Sequence, residues 1–214
     1  MSRRTWPLAR RYALLPLAVG GTLLATSRRS GWALVGLAAA IVAFFRDPER
    51  PAPAVSGVAY AAADGVVTEV EAEVDEPWLP GGRGARVTVF LSLADVHVGR
   101  SPVRGRVRCL ERRGEGAAPA LLRRAGENRR LRLLLDGPEG PVVVVLVAGA
   151  IARTVTSWVD EGDEVAAGQR LGLVHFGSRA DVLLPPASAQ IVVSRGHRVR
   201  AGVTPLARLP GSRP

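Results

Sequence analysis

The sequence changes character near residue 50, and this change constrains the fold more than any other feature. Before it, residues 12–25 and 32–45 form two uncharged apolar runs separated by TSRRSG. After it, short apolar runs are bounded by glycine, proline and aspartate, a pattern typical of β-strands. The proline-rich stretch RDPERPAPAVSG lies between the two parts. We therefore predict an N-terminal helical hairpin at residues 1–46 and a β-rich domain at residues 47–214.

The apolar runs of the hairpin have no polar face, which favours contact with a membrane. As a helix, each run would extend about 21 Å, less than the roughly 30 Å of a hydrocarbon core. The hairpin can dip into one leaflet or cross a thinned bilayer twice, with the flanking arginines reaching the headgroups. A signal peptide fits less well, because the second run follows the first directly. A buried helical pair of a soluble core is a further alternative.

All 29 basic residues are arginine, and the formal net charge is +10. The absence of lysine excludes a pyridoxal phosphate enzyme and a lipoyl or biotinyl carrier, since each needs a lysine for its covalent bond. The charge favours an anionic partner. Few aromatic side chains follow residue 50, which argues against stacking on nucleic-acid bases. We expect a lipid surface as the partner and no nucleic acid.

The single cysteine, Cys109, cannot form an internal disulfide, and we expect it to be a small core residue. The three histidines, His97, His175 and His197, lie far apart in the sequence. No cluster has the spacing of metal ligands. We therefore expect no metal ion.

A short pattern, G-x-x-V-x-x-G, occurs at residues 162–168 and again at residues 196–202. Glycine at such turns permits a positive φ, and the valine between them can point into a core. The repeat resembles the two halves of lipoyl and biotinyl domains, which are barrel-sandwich hybrids. We therefore predict a mainly β fold with a barrel-sandwich-hybrid-like domain after the hairpin.

The stretch VHFGSRADVLLP, residues 174–185, has the pattern of a strand that is interrupted by Gly177 and Ser178. Taken alone, a glycine in a strand indicates a bulge. A serine hydroxyl beside a peptide carbonyl can also attack that carbonyl when a base removes its proton. Gly177 has no side chain to hinder such an attack.

Five segments, in one order along the chain, resemble the short membrane-associated form of phosphatidylserine decarboxylase proenzymes. They are FFRDPER (44–50), AADGVV (62–67), VFLSLADVHVGRSPVRGRV (89–107), ENRRL (127–131) and the long segment 147–185 that contains HFGSR. The resemblance covers nearly the whole chain.

The resemblance implies that the chain cuts itself between Gly177 and Ser178 into fragments 1–177 and 178–214. An N→O shift, β-elimination and the loss of ammonia would leave a pyruvoyl group at position 178. This group would form a Schiff base with phosphatidylserine and release CO2 to give phosphatidylethanolamine. Such a carboxy-lyase needs no lysine, no pyridoxal phosphate and no metal.

By position, the resemblance makes Asp64 and His97 the helpers of Ser178, with Asp64 orienting and charge-stabilising a histidine that acts as the base. Longer forms carry a second histidine three residues after the first, where this chain has Arg100. Arg100 and Arg179 are candidate binders of the substrate's carboxylate or phosphate. His175 is a candidate proton donor. Taken singly, Asp64 also fits a turn, and either histidine also fits a structural position.

The resemblance further implies a heterodimer of the two cleavage fragments, with further oligomerisation left open. The hairpin would hold the enzyme at the cell membrane, on the cytoplasmic face of a bacterium, next to its phospholipid substrate. Two alternatives remain. The lipid could be the ether analogue archaetidylserine, or the chain could be a non-enzymatic membrane adaptor with a lipoyl-like domain.

Overall fold

The computed structural model describes residues 4–51, 55–114, 128–149, 154–175, 178–187 and 189–210. The chain divides into two compact units, Met1–Glu49 and Arg50–Pro214. The first unit is helical, and the described part of the second consists of β-strands and one short helical turn. The prediction of a mainly β fold preceded by two helices is confirmed.

The first unit contains the helices α1 (Trp6–Ala25) and α2 (Gly31–Phe44). They approach each other closely at two glycines, because a methyl group on Gly31 would lie 2.5 Å from the carbonyl oxygen of Gly20. Large apolar side chains, among them Leu15 and Trp32, remain exposed. Among the described residues, neither helix combines the length and the hydropathy needed to cross a membrane. Contact of this unit with a membrane stays a prediction.

The described part of the second unit contains fourteen strands and a 3-10 turn at Pro80–Gly82. The strands are β1 (Val58–Tyr60), β2 (Gly65–Asp75), β3 (Arg83–Leu91), β4 (Val98–Arg100), β5 (Gly105–Arg113), β6 (Arg130–Gly137), β7 (Gly140–Ala148), β8 (Val155–Ser157), β9 (Glu164–Val165), β10 (Arg170–Val174), β11 (Ser178–Leu184), β12 (Gln190–Ile191), β13 (Arg198–Val199) and β14 (Pro205–Arg208).

Eight of these strands form one antiparallel sheet in the order β13-β2-β3-β11-β7-β6-β5-β9. Two smaller sheets have the orders β1-β14-β12 and β4-β10-β8. In the large sheet β11 pairs with β3 on one side and with β7 on the other. β11 is therefore an interior strand with backbone hydrogen bonds on both edges.

The interrupted strand of the sequence is in fact two strands in two different sheets. β10 ends at Val174 in a three-stranded sheet, and β11 begins at Ser178 in the eight-stranded sheet. The interpretation as one strand with a bulge is therefore wrong. The chain passes from one sheet to the other between Val174 and Ser178, and Phe176 and Gly177 lie outside the described residues.

The two copies of the G-x-x-V-x-x-G pattern take up matching conformations. Their first glycines, Gly162 and Gly196, have φ values of 92° and 91°. Their valines are buried, one in β9 and one in β13, which are the two end strands of the large sheet. Their last glycines meet, since a methyl group on Gly202 would lie 2.9 Å from the Cα of Gly168. A barrel-sandwich arrangement of two halves stays a prediction.

β11 is buried on both of its faces. Ala180, Val182 and Leu184 point into the main apolar core. On the opposite face Leu183 packs in a second apolar cluster that includes Leu79, from the segment between β2 and β3. Burial on both faces accounts for the apolar end of this strand, Val182–Leu184, whereas its start carries the charged residues Arg179 and Asp181.

The contact between the two repeats predicts a difference between two glycine substitutions. Alanine at Gly196 or Gly202 must adopt a positive φ, at a cost of about 1–2 kcal/mol. At Gly202 the added methyl group also meets the backbone of Gly168, whereas at Gly196 it meets open space. Gly202→Ala should therefore lower the melting temperature of the β-sheet signal in circular dichroism more than Gly196→Ala does. Equal shifts would show that the two repeats do not depend on this contact.

Candidate active site

The backbone of Ser178 is held at the start of β11, opposite Leu91 of β3 and Ala148 of β7. The preceding residue, Gly177, lies outside the described residues. The self-cleavage of the Gly177–Ser178 bond therefore stays a prediction. The other predicted residues can be located relative to the fixed backbone of residue 178.

His97 lies directly before β4 and is fully buried. Its Nδ1 is 3.0 Å from the carbonyl oxygen of Asp95. Because a carbonyl oxygen only accepts hydrogen bonds, Nδ1 carries the hydrogen in this contact. In the neutral ring Nε2 then holds the lone pair. The predicted role of His97 as the base stays a prediction, and Nε2 is the atom through which a neutral ring in this tautomer would act.

The turn that follows β3 holds the Asp95 carbonyl in place. The Asp95 carboxylate accepts hydrogen bonds from the Ser92 N–H at 2.9 Å, the Ser92 hydroxyl at 2.7 Å and the Arg198 guanidinium at 2.8 Å. Burial acts to raise the pKa of Asp95, but the hydrogen bonds from Ser92 and the charge of Arg198 outweigh it, so that the pKa lies below its usual value. The carboxylate is therefore ionised at neutral pH and keeps the turn closed.

His175 lies between β10 and β11 and is buried. Its backbone N–H donates to the carbonyl of Thr154 at 3.0 Å, and its Nε2 is 3.0 Å from the hydroxyl of Thr156. Burial lowers the pKa of His175, so the imidazole is neutral at pH 7. Its predicted role as a proton donor stays a prediction.

Backbone hydrogen bonds bring the segments of the two histidines together. The N–H of Val174, the residue before His175, donates to the carbonyl of His97 at 3.0 Å. The pairing continues along β4 and β10, where Val98 lies opposite Leu173. The segment of His97 is therefore bonded to the segment of His175, which leads to the start of β11.

Asp64 forms a partly buried ion pair with Arg50. The Arg50 Nη1 and Nη2 atoms are 2.6 and 2.7 Å from the two carboxylate oxygens, and the side chains are only 10% and 13% exposed. Ala201 joins the pair, since its N–H donates to Asp64 at 2.8 Å and its carbonyl accepts from Arg50 at 2.6 Å. In the described part of the chain, the hydrogen bonds of the Asp64 carboxylate go to these two residues. The predicted support of a histidine by Asp64 stays a prediction.

Gly65 explains why a glycine follows Asp64. Its φ is +150°, and a methyl group at this position would lie 2.0 Å from the carbonyl oxygen of Phe90. Only glycine permits β2 to come this close to β3. The close approach fixes the direction in which the chain leaves Asp64.

Arg179 lies on the face of β11 opposite to Ala180 and pairs with Asp181. Its Nη2 and Nε atoms are 2.8 and 3.2 Å from one carboxylate oxygen of Asp181. Burial raises the pKa of Asp181, and the charge of Arg179 acts against this shift. Arg179 therefore compensates a buried acid, and its predicted contact with substrate stays a prediction.

Arg100 ends β4 and is buried, with 4% of its surface exposed. Its Nη1 donates to the carbonyl of Gly168 at 3.0 Å, and its side chain packs beside Gly202. Arg100 thus lies where the two glycine repeats meet. Its predicted contact with the substrate's carboxylate or phosphate stays a prediction.

Among the described residues no group of three histidine, cysteine or acidic side chains could hold a metal ion.

Arg50 and Asp95 are not among the residues predicted from the sequence. Asp95 has a readable signal, because serine three residues before aspartate favours a closed turn with a side-chain hydrogen bond. Arg50 has no such signal. Its partners, Asp64 and Ala201, are distant in the sequence, and only the fold brings the three together.

Comparison with known proteins identifies the family of the chain. A family model described as phosphatidylserine decarboxylase matches residues 37–207. The chain is 41% identical to a phosphatidylserine decarboxylase proenzyme of Symbiobacterium thermophilum over 98% of its own length and 96% of the relative. It is 43% identical to a putative archaetidylserine decarboxylase proenzyme of Halobacterium salinarum, over 95% of the chain and 96% of the relative. The family match and these identities over nearly full length show that the chain belongs to the phosphatidylserine decarboxylase family.

Proposed function

We propose that this protein is made as a precursor, cuts itself between Gly177 and Ser178, and then decarboxylates phosphatidylserine to phosphatidylethanolamine. The observation that supports this most directly is the orientation of His97. The contact of its Nδ1 with the Asp95 carbonyl leaves the lone pair of the neutral ring on Nε2, and its backbone is bonded to the segment just before the predicted cleavage site. The substrate class comes from the names of relatives such as that of Symbiobacterium thermophilum.

In the proposed cleavage, His97 takes the hydroxyl proton of Ser178 as the oxygen attacks the carbonyl carbon of Gly177. The amide C–N bond breaks while an ester forms. Elimination then frees the carboxylate of Gly177 and leaves dehydroalanine at residue 178. Hydrolysis of the dehydroalanine releases ammonia and leaves a pyruvoyl group at the new terminus.

The pyruvoyl group supplies an electrophilic carbonyl for the substrate amine and an electron sink for the loss of CO2. This chemistry suits a chain without lysine. We assign proton transfer to His97 and His175. Burial lowers the pKa of His175 and keeps its ring neutral, so this ring takes up a proton before it can donate one to the substrate. Arg100 and Arg179 remain candidates for holding the substrate's anionic groups.

The two fragments would remain together after cleavage as a heterodimer. Residues 178–184 keep their hydrogen bonds to β3 and β7, and Ala201 stays bonded to Arg50 and Asp64 of the larger fragment.

We further propose that residues 1–46 hold the enzyme at the cytoplasmic face of the cell membrane, where its lipid substrate lies. The net charge of +10 favours an anionic bilayer. The ether lipid archaetidylserine carries the same serine headgroup, so it is the alternative substrate. The non-enzymatic adaptor alternative loses its basis, because the relatives are named as decarboxylases.

Replacement of the proposed nucleophile tests the function. Ser178→Ala should give one uncut chain on a denaturing gel and no phosphatidylethanolamine from phosphatidylserine, since no hydroxyl is present to attack Gly177. Ser194→Ala, in the same fragment, is the control and should be cut and active like the natural sequence. Decarboxylation by the Ser178→Ala protein would contradict the proposal.

The Arg50–Asp64 pair allows the role of Asp64 in catalysis to be separated from its role in folding. Arg50→Met alone leaves a partly buried carboxylate without its partner and should cost at most about 3–5 kcal/mol of unfolding free energy, whereas the double variant Arg50→Met/Asp64→Leu should recover much of this. We propose that the charge of Asp64 supports His97, so the stable double variant should remain uncut. Cleavage of the double variant at the natural rate would show that Asp64 is structural only.

Deletion of residues 1–45 tests the membrane role of the first unit. The shortened protein should cut itself normally, because Arg50 and the second unit remain. Its turnover of phosphatidylserine in vesicles should fall about tenfold, since it lacks the membrane attachment, while turnover of the soluble dihexanoyl lipid should not change. Equal turnover of vesicles by both proteins would contradict the proposed anchoring.

A further inference from the structure

A cavity of about 390 Å³ lies at the end of the large sheet where β5 ends and β6 begins. We call it the arginine pocket, after its lining residues Arg112, Arg113, Arg129, Arg130, Leu131 and Thr154. Its size falls within the range of about 300–1,000 Å³ that is typical of small-molecule sites. None of the described lining residues is acidic. The neighbouring Glu111 pairs with Arg113 and with Arg132, so the described lining residues of the pocket carry an excess of positive charge.

The sheet register places the arginine pocket close to residue 178. Ser178 lies opposite Ala148 of β7, and the N–H of Ala148 donates to the carbonyl of Arg129 at 2.9 Å. Two spacings of about 4.8 Å between neighbouring chain segments put the Arg129 backbone about 10 Å from that of Ser178. Thr154, which also lines the pocket, is close to the same point. Its carbonyl accepts a hydrogen bond from the backbone N–H of His175, which lies three residues before Ser178.

The guanidinium groups that line the pocket indicate a phosphate-containing ligand. Guanidinium groups bind phosphate oxygens through paired, charge-assisted hydrogen bonds. In a serine phospholipid, four covalent bonds separate the amine from the phosphorus, which at about 1.5 Å per bond is a span of about 5 Å. When the amine of the lipid reacts at residue 178, its phosphate lies about 5 Å from that point. The Arg129 backbone lies about 10 Å from residue 178, so the arginine side chains can reach the phosphate.

We propose that the arginine pocket binds the phosphodiester group of the lipid substrate. This inference rests on the proposed function, because it takes residue 178 as the point of reaction. It assigns headgroup recognition to arginines of the larger fragment that are not among the site residues predicted from the sequence. Arg112 and Arg129 are both exposed, so they can bind a ligand and can be replaced with little effect on folding.

The test compares two double variants with the same change in charge. Arg112→Gln/Arg129→Gln removes two guanidinium groups from the arginine pocket. Arg104→Gln/Arg195→Gln removes two exposed arginines outside it. Both should cut themselves as the natural protein does. With soluble dihexanoyl phosphatidylserine, the pocket variant should show a KM raised about tenfold or more, and the control variant a KM within about twofold of the natural value.

A binding measurement keeps this inference separate from the proposed function. Dihexanoyl phosphatidylglycerol has the phosphodiester but no amine, so its binding needs no reaction at residue 178. Measured by titration calorimetry on uncut Ser178→Ala protein, its affinity should fall about tenfold or more when the pocket substitutions are added, whether or not decarboxylation is ever observed.

Three results would overturn the inference. The first is equal affinity for the phosphatidylglycerol with and without the pocket substitutions. The second is binding of inorganic phosphate to the pocket as tightly as the lipid, which would make it a site for free phosphate. The third is an unchanged KM for soluble lipid together with a loss on vesicles only, which would make the arginines a membrane-contact surface.

Discussion

The hydrogen bonding of β11 to both β3 and β7 is the interaction on which the rest of the structure depends. It fixes the backbone of residue 178 from two sides, at the end of the large sheet where the His97 and His175 segments and the arginine pocket also lie. The apolar side chains of β11 are buried on both faces of the sheet. A cut just before residue 178 therefore leaves the strand anchored by its own hydrogen bonds and by its buried surface.

Buried and partly buried ions add a second set of constraints, and two of them cross the predicted cleavage site. Arg198 donates to Asp95, and Ala201 is bonded to both Arg50 and Asp64. Such pairs contribute little net stability, but the loss of one partner is costly because it leaves a buried charge. They therefore act as specific links between the two fragments, and the link at Asp95 also holds the carbonyl that orients the proposed base.

Most of the architecture could be predicted from the sequence. The run GVVTEVEAEV predicts a strand that the structure places at Gly65–Asp75, and RRLRLLLDG corresponds to Arg130–Gly137. The two helices and the matched glycine repeat could also be predicted, because periodicity and turn chemistry are local properties. The short strand Val98–Arg100 has no such local pattern and forms through its pairing with β10.

The candidate site was harder to predict from the sequence, because its contacts join segments that are distant along the chain. Ser178, His97 and Asp64 came from a resemblance to a family, and their chemistry from the residue types. The Arg50 partner of Asp64 and the carbonyl that orients His97 depend on register and turn geometry. The four arginines of the arginine pocket lie in two separate pairs along the chain, and only the pairing of β5 with β6 brings them together.

The mass of the smaller fragment tests the central claim most directly. If residue 178 becomes a pyruvoyl group, an intact-mass spectrum of the purified protein should show chain 1–177 and a chain 178–214 that is lighter by one ammonia than a serine start predicts. A single uncut chain, or a 178–214 fragment that retains an unmodified serine, would contradict the account.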